Sequence, residues 1–474
     1  MEEENKEKVG FFFGAGAEIC YGLPSGAEFA FKVLKQNEEI LTPAKSEFEY
    51  FVKNEKGKKE AFSKVSKEDL QEILESMVQN RKEEIIKKIK DSDTNDTVLF
   101  DNFDNVDLPK FSVLKKSIDK FGKDFPDDYN KKNKEKKELE KKNKIEVLIQ
   151  FNIDLSLFLC GNSLKNQLNN KVKDCFSDRW VNSSMDFFQT NKSFILNFSD
   201  EVFGKQDGEN AIKLEGEYLE LENLTNDILN ACIDYQKLFE KFDAAFYPER
   251  NKTQFKKIVS LLFVMRQVIL NGENKITNIS DIESYYKDIK SSLKNDYVVC
   301  SSNYSKIAEK VLEKKEIFHL NGELDSFFDL KEKSLKKELH SENNPNENKI
   351  YVPFIFPQVN MKPIMYFDVV KLYSDAFCQL KKCSKIAIIG FGLNKDDNLL
   401  NGMFKSLLEN DEKTEIYYFK YSEDGKDISE SEKSDVVKIL GLSSKEEKRF
   451  HVQPVDKNRM TGDKNWLEFF IQNK

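Results

Sequence analysis

The chain has 474 residues, 39% hydrophobic and 33% charged, and 75 Lys and Arg against 83 Asp and Glu give a formal net charge of −8. This length allows two or three domains with ample core, and the acidic balance argues against direct nucleic-acid binding. No apolar run approaches the roughly 18 residues of a membrane span, so no membrane contact is expected.

The stretch Met1-Glu2-Glu3-Glu4-Asn5-Lys6 is acidic and lacks an apolar segment, so a signal peptide is not expected and the chain is read as cytoplasmic. Seven cysteines at 20, 160, 175, 232, 300, 378 and 383 form no CxxC pair, and there are three histidines, His319, His340 and His451. That pattern fits reduced thiols and predicts no metal site. Cys378 and Cys383 are read as packing residues of one helix.

Val9 to Phe13 is an apolar, aromatic run that predicts a strand buried on both faces. It breaks into Gly14-Ala15-Gly16-Ala17-Glu18, then Gly22-Leu23-Pro24, with a helix expected from Pro24 to Ala30. Glycines at such a turn let backbone N–H groups approach phosphate oxygens, and the helix dipole would favour an anion there. The spacing is not GxGxxG, and a plain strand-to-helix connection explains the turn equally well.

From about 40 to 290 the text is rich in Lys, Glu and Asn, with apolar residues at helical spacing: Leu70, Ile73, Leu74, Met77 and Val78, then Ile258, Leu261, Leu262, Met265 and Val268. The run Lys131-Lys132-Asn133-Lys134-Glu135-Lys136-Lys137 has no interleaved aromatic and reads as a solvated helix or linker. Beyond 290, short apolar runs alternate with helical ones: Tyr297 to Cys300, Glu316 to Leu320, Ile350 to Phe356, Lys385 to Ile389, Glu415 to Phe419 and Phe450 to Val455. Alternation of this kind predicts an α/β fold with a Rossmann-like parallel sheet. The first βα unit has no sheet of its own and is expected to join it. Residues 1–40 and 290–474 would then make one discontinuous domain, with 41–289 a large, mostly helical insertion.

Ligands of open α/β sheets bind at the carboxyl ends of strands. Four such ends carry candidate residues: Gly14 to Glu18, Ser301-Ser302-Asn303-Tyr304-Ser305, His319 to Asp325, and Gly390-Phe391-Gly392-Leu393-Asn394 continuing to Asp396, Asp397 and Asn401. These residues resemble the sirtuin-like NAD-consuming proteins, particularly the divergent bacterial members that act as anti-phage effectors. Members carry GAGxS followed by GxP, then TQNxD or TNYD, then HG, then a late GxS loop with a nearby Asp. Gly14 to Glu18 with Gly22 and Pro24 match the first motif, with Glu18 in place of Ser. Ser302 to Ser305 resembles TNYD with Ser305 in place of Asp. Pro353, Pro357, Lys362 and Pro363 resemble the proline-and-lysine stretch before the last strand of the pattern. In the late loop Asn394 stands in place of Ser, and at HG Gly322 is preceded by Asn321, with His319 two residues earlier.

The resemblance covers roughly 1–40 and 290–474 and implies an NAD glycohydrolase that releases nicotinamide and ADP-ribose. Asn303, His319 and Asn321 would carry the chemistry, with Ile317, His319 and Asn321 alternating onto one face of a strand. Gly14, Ala15, Gly16, Glu18, Pro24, Ser302, Gly322, Gly390, Gly392, Asn394 and Asp397 would hold NAD. Asn303 suits a site that must hold a ribose hydroxyl or aim a water, because its amide both donates and accepts. Lysine deacylation is disfavoured because the paired CxxC zinc module is missing. The resemblance further implies gating of activity in anti-phage defence, through an oligomer or a complex with a sensor partner that uses the helical insertion. Two other readings stand beside it: a catalytically degenerate nucleotide sensor or scaffold subunit, marked by Ser305 and Asn321, and a Rossmann-like enzyme of another nucleotide, such as a nucleoside transferase.

Overall fold

The computed structural model describes residues 8–24, 29, 32–33, 38–53, 60–63, 111–125, 138–146, 148–149, 152, 214–232, 245–248, 250–293, 297–337, 339, 350–357, 362, 364, 366–394, 397–422 and 428–472. The apolar set Leu70 to Val78, the run Lys131 to Lys137, most of Pro24 to Ala30, Cys160, Cys175, His340, Pro363 and Asp396 lie outside them.

Six strands form one parallel sheet: β1 (Val9–Phe13), β2 (Tyr297–Ser301), β3 (Phe318–His319), β7 (Lys385–Ile389), β8 (Glu415–Tyr421) and β9 (Phe450–Val455). Their order is β3-β2-β1-β7-β8-β9. The chain builds outward from β1 in one direction, then returns to its other side, which is the doubly wound Rossmann order. The Rossmann-like α/β expectation therefore holds. β1 lies in register between β2 and β7, Val9 facing Tyr297 on one side and Lys385 on the other. A central parallel strand is covered on both faces, which is why β1 reads as an unbroken apolar run.

The two faces of β1 are packed by different helices. Phe11 and Phe13 face a core that includes Tyr286 and Ile289 of helix Tyr285–Ser292, Ile307 and Val311 of helix Ile307–Leu312, and Trp466 and Phe470 of helix Trp466–Gln472. On the opposite face Phe12 meets Phe391 and Phe404, ring centroids 5.1 and 4.9 Å away, the latter on helix Asn398–Asn410. Gly10 lies on that face too, and a side chain there would press on Leu380 at the end of helix Phe367–Leu380. Each of these fully buried phenylalanines stabilises the sheet by about 1.5–3 kcal/mol.

One expected strand belongs elsewhere. Ile350 to Phe356 forms β6 (Tyr351–Ile355), which pairs antiparallel with β4 (Gly322–Asp329), itself paired with β5 (Ser334–Lys336) in a separate three-stranded sheet. β6 is buried along its whole length, so its residues show no alternation that would have separated it from the parallel strands. β3 is also shorter than expected: it ends at His319 and a turn follows at Leu320-Asn321, so the alternation through His319 does not extend to Asn321. Cys378 is exposed on helix Phe367–Leu380 and Cys383 is buried just beyond the helix, so only the second packs as expected.

The chain divides into two compact units. The first comprises Met1–Ser25, Gln36–Lys64 and Phe239–Lys474 and contains both sheets. It takes in two helices from the 41–289 stretch and its borders, Glu38–Phe51 and Lys252–Lys275. Ile258, Leu261, Leu262, Met265 and Val268 of the longer helix are all buried, as their spacing predicts. Phe51 stacks on Phe263 and tilts against Phe327 of β4. Arg266 fastens the join, with Nη1 donating to both Glu47 carboxylate oxygens at 2.6 and 2.7 Å and Nε to the Leu324 carbonyl at 2.7 Å. The second unit comprises Gly26–Lys35 and Val65–Leu238. Its helices Phe111–Asp124 and Glu217–Cys232 are joined by Ser117 donating to the Glu217 carbonyl at 3.0 Å and Tyr218 to Asp124 at 2.9 Å.

Candidate active site

All six strands of the main sheet run parallel, so the carboxyl ends of β1, β2, β3 and β7 share one edge. β1 and β7 flank the point where strand order reverses, the position at which such sheets open a crevice. The expected four strand ends are thus brought together.

At the crevice the two glycine loops touch backbone to backbone. Gly14 N–H donates to the Ile389 carbonyl at 2.9 Å, Gly16 N–H to the Gly390 carbonyl at 2.8 Å, and Ala17 N–H back to the Gly14 carbonyl at 3.0 Å. A Cβ on Gly390, which has φ +65°, would lie 2.1 Å from the Ala17 nitrogen, and one on Gly14 would lie 2.5 Å from the Gly390 oxygen. These glycines are required by the contact between loops, and the three amides already have protein acceptors, contrary to the expectation that they point at a phosphate. A 3-10 helix, Ala15–Tyr21, starts straight after Gly14, and Gly22 ends it in the left-handed conformation, φ 78°. Helical winding therefore begins well before Pro24, which is buried. Ala15, Gly16, Gly392 and Asn394 are exposed along the two loops.

Glu18 points inward and is only 2% exposed. Ser305 Oγ donates to its Oε2 at 2.6 Å and Tyr286 Oη to its Oε1 at 2.8 Å. Burial pushes its pKa up to about 7, against the opposing pull of hydrogen bonds from Ser305, Tyr286 and Asn303. Glu18 is therefore a buried anchor of the crevice floor, a place different from the cofactor contact expected of it. Tyr286 has no signal in the sequence, since it lies 268 residues away from Glu18 in the stretch read as insertion.

Asn303, at the end of β2, donates through Nδ2 to the Gly14 carbonyl at 3.1 Å and also faces the Glu18 carboxylate. Both neighbours are acceptors, so the amide orientation is fixed and its oxygen is turned away from them. Ser302 secures the same strand end, its N–H donating to the Phe13 carbonyl at 2.8 Å.

His319 is buried with both ring nitrogens engaged. Nδ1 donates to the Asn303 carbonyl at 2.9 Å, and Nε2 lies 2.6 Å from Glu309. Burial works against its charge, but the Glu309 carboxylate outweighs it and raises the pKa above the usual histidine value. His319 thus positions the Asn303 backbone and is not the free imidazole expected at a ribose or a water. Glu309, His319 and Glu323 bring potential metal-ligand atoms within 4.8 Å of one another. Glu323 also accepts from Ser326 and pairs with Lys337, while Glu309 Oε2 is buried without a hydrogen-bond partner.

A third group closes the other end. Lys362 Nζ donates to Asn321 Oδ1 and to Asp397 Oδ1, both at 2.7 Å, with the Lys362 and Asp397 side chains each 1% exposed. Burial lowers the lysine pKa although Asp397 opposes the shift. Asp397 caps helix Asn398–Asn410, while Asn401 donates to the Asn394 carbonyl at 2.8 Å. Asp397 Oδ2 and Asn401 Oδ1 remain buried without a hydrogen-bond partner. Buried acceptors left unpaired are costly. Gly322 has a different cause: φ is +100°, and a Cβ would lie 1.8 Å from the Phe354 carbonyl oxygen of β6. It is fixed by sheet pairing rather than by contact with a cofactor.

Neither a protein-family model nor a curated protein matches this chain.

Proposed function

We propose that the crevice at the β1/β7 switch point binds NAD and that the chain is a sirtuin-like NAD glycohydrolase. The observation that carries this reading is Asn303: buried at the end of β2, its Nδ2 donates to the Gly14 carbonyl at 3.1 Å beside the Glu18 carboxyl, which leaves Oδ1 to accept from a ligand. In the reaction the bond between ribose C1′ and the pyridine nitrogen breaks, and its electron pair leaves on neutral nicotinamide. Water adds to C1′ and releases one proton. Such a step asks for a held ribose and an aimed water more than for a strong acid, and a preorganised acceptor does that work.

A second reading is favoured by one observation. Asn321, which stands where the resemblance would have histidine, is held by Lys362, and His319 is held by Glu309 and Asn303. With both side chains engaged inside the protein, a nucleotide sensor or scaffold subunit would need no further catalytic group. Calorimetric titration with NAD, paired with a nicotinamide-release assay, separates the two. Binding with turnover that Asn303→Ala abolishes supports the enzyme; binding without turnover supports the sensor; no binding refutes both.

An NAD hydrolase must be gated to spare its host, so the enzyme reading carries a regulated assembly with it. The second unit, Gly26–Lys35 with Val65–Leu238, is the proposed surface for self-association or for a sensor partner in anti-phage defence. Light scattering that finds a monomer at working concentration, together with pulldowns from phage-infected cells that retain no partner, would count against this.

A further inference from the structure

The chain departs from the sirtuin-like pattern at Glu18, where the pattern has Ser, and at Ser305, where it has Asp. These two side chains are hydrogen-bonded to one another, Ser305 Oγ to Glu18 Oε2 at 2.6 Å, across 287 residues of sequence. We propose that Glu18 and Ser305 are a single pair with acid and hydroxyl exchanged between the two positions, and that this pair positions Asn303. The exchange rests on the sirtuin-like reading and the kinetic readout on NAD hydrolysis, while the pairing itself rests on the observed contact.

The space between the two residues accepts one carboxylate and one hydroxyl. Both are buried, at 2% and 1% exposure. An acid at both positions would set two carboxylates within hydrogen-bond distance in a dry site, where they cannot both ionise. A hydroxyl at both would leave Tyr286 and Asn303 without the carboxyl group they now face. One acid in either place satisfies every group. Ser305 is therefore the partner that a displaced acid requires, and its identity is no sign of a retired site.

The pair reaches the substrate side only through Asn303. The Asn303 amide lies between the Gly14 carbonyl and Glu18, so the carboxyl group helps fix which end of the amide faces inward. Glu18 and Ser305 are positioning residues, and loss of the pair would free the amide to turn.

The test is a swap in the full chain, read by thermal midpoint and by kcat and KM for NAD. Glu18→Ser and Ser305→Asp should each lower kcat roughly tenfold or more with little change in KM, because each leaves buried groups unpaired or repelling. The exchanges Glu18→Ser/Ser305→Asp and Glu18→Ser/Ser305→Glu should recover most of both readouts. The second conserves the atoms of the pair. Should the single variants fold poorly, Ser305→Ala gives the same information: kcat and its pH profile should move while Tyr286 still holds Glu18. Double variants as impaired as the product of the singles, or Ser305→Ala with unchanged kcat and pH profile, overturn the proposal. If the native chain turns over no NAD, the enzyme reading fails on its own, and non-additive thermal midpoints still decide the pair.

Discussion

Replacing Glu18 with glutamine should change how stability depends on pH, by an amount set by burial. The carboxyl has a pKa of about 7 in the fold against 4.5 when exposed. Between those values the folded chain keeps a proton that the unfolded chain has released, so stability falls as pH rises through this window. The contribution is complete below 4.5, is lost through 7 and is constant beyond it. A shift of this size corresponds to about 3 kcal/mol at roughly 1.4 kcal/mol per unit, with no allowance for solvent screening because the side chain is buried. Glutamine has nothing to titrate, so the difference in unfolding free energy between the native chain and Glu18→Gln should move by that amount, in favour of the variant, from pH 4.5 to 8. Trp466 packs against Phe11 with ring centroids 6.0 Å apart in the same core, so its fluorescence reports the relevant unfolding. Urea titrations at several pH values give the difference curve. Parallel curves for the two chains would refute the argument, because Glu18 would then be no less solvated in the fold than in the unfolded chain.

Glu309→Gln should act with the opposite partner in mind: His319 has its pKa raised by Glu309 against burial, so its stabilisation is present below the unfolded value near 6.5 and is lost as pH rises through the folded value. The variant should flatten that dependence and lower the His319 pKa in an NMR titration. Gly322→Ala should cost more than about 1–3 kcal/mol, since positive φ and a clash with backbone act together, and a depressed melting temperature would show it. Lys362→Met leaves Asp397 buried without its cation and should destabilise the fold by roughly 3–5 kcal/mol, measured by urea unfolding.

Much of the fold is legible in the sequence because central parallel strands are dry on both sides. Val9 to Phe13 and Lys385 to Ile389, both central, are strands with the bounds that their apolar runs mark; Phe450 to Val455 keeps its bounds too, although it is the edge strand and only half buried. The same property hides β6, since a fully buried antiparallel strand reads identically. The glycine turn was legible as a turn but not as to purpose: a glycine that meets another loop and one that meets a phosphate look alike in one dimension. Tyr286 and Glu309 take part through contacts that no local pattern encodes, and Lys362, visible as part of a proline-and-lysine stretch, shows its partners Asn321 and Asp397 only in space. Glu18 and Ser305 were visible as departures from a motif, and only their contact in space gives them a common cause.

The central claim is that Asn303 presents a fixed acceptor to NAD in the switch-point crevice. Nicotinamide release from NAD, followed for the purified chain with and without lysate of phage-infected cells, tests it most directly against Asn303→Ala. Turnover by the native chain is expected in at least one condition, with a loss of about a hundredfold or more in the variant and NAD affinity largely kept. Equal turnover by the two chains, or none by the native chain in either condition, would contradict it.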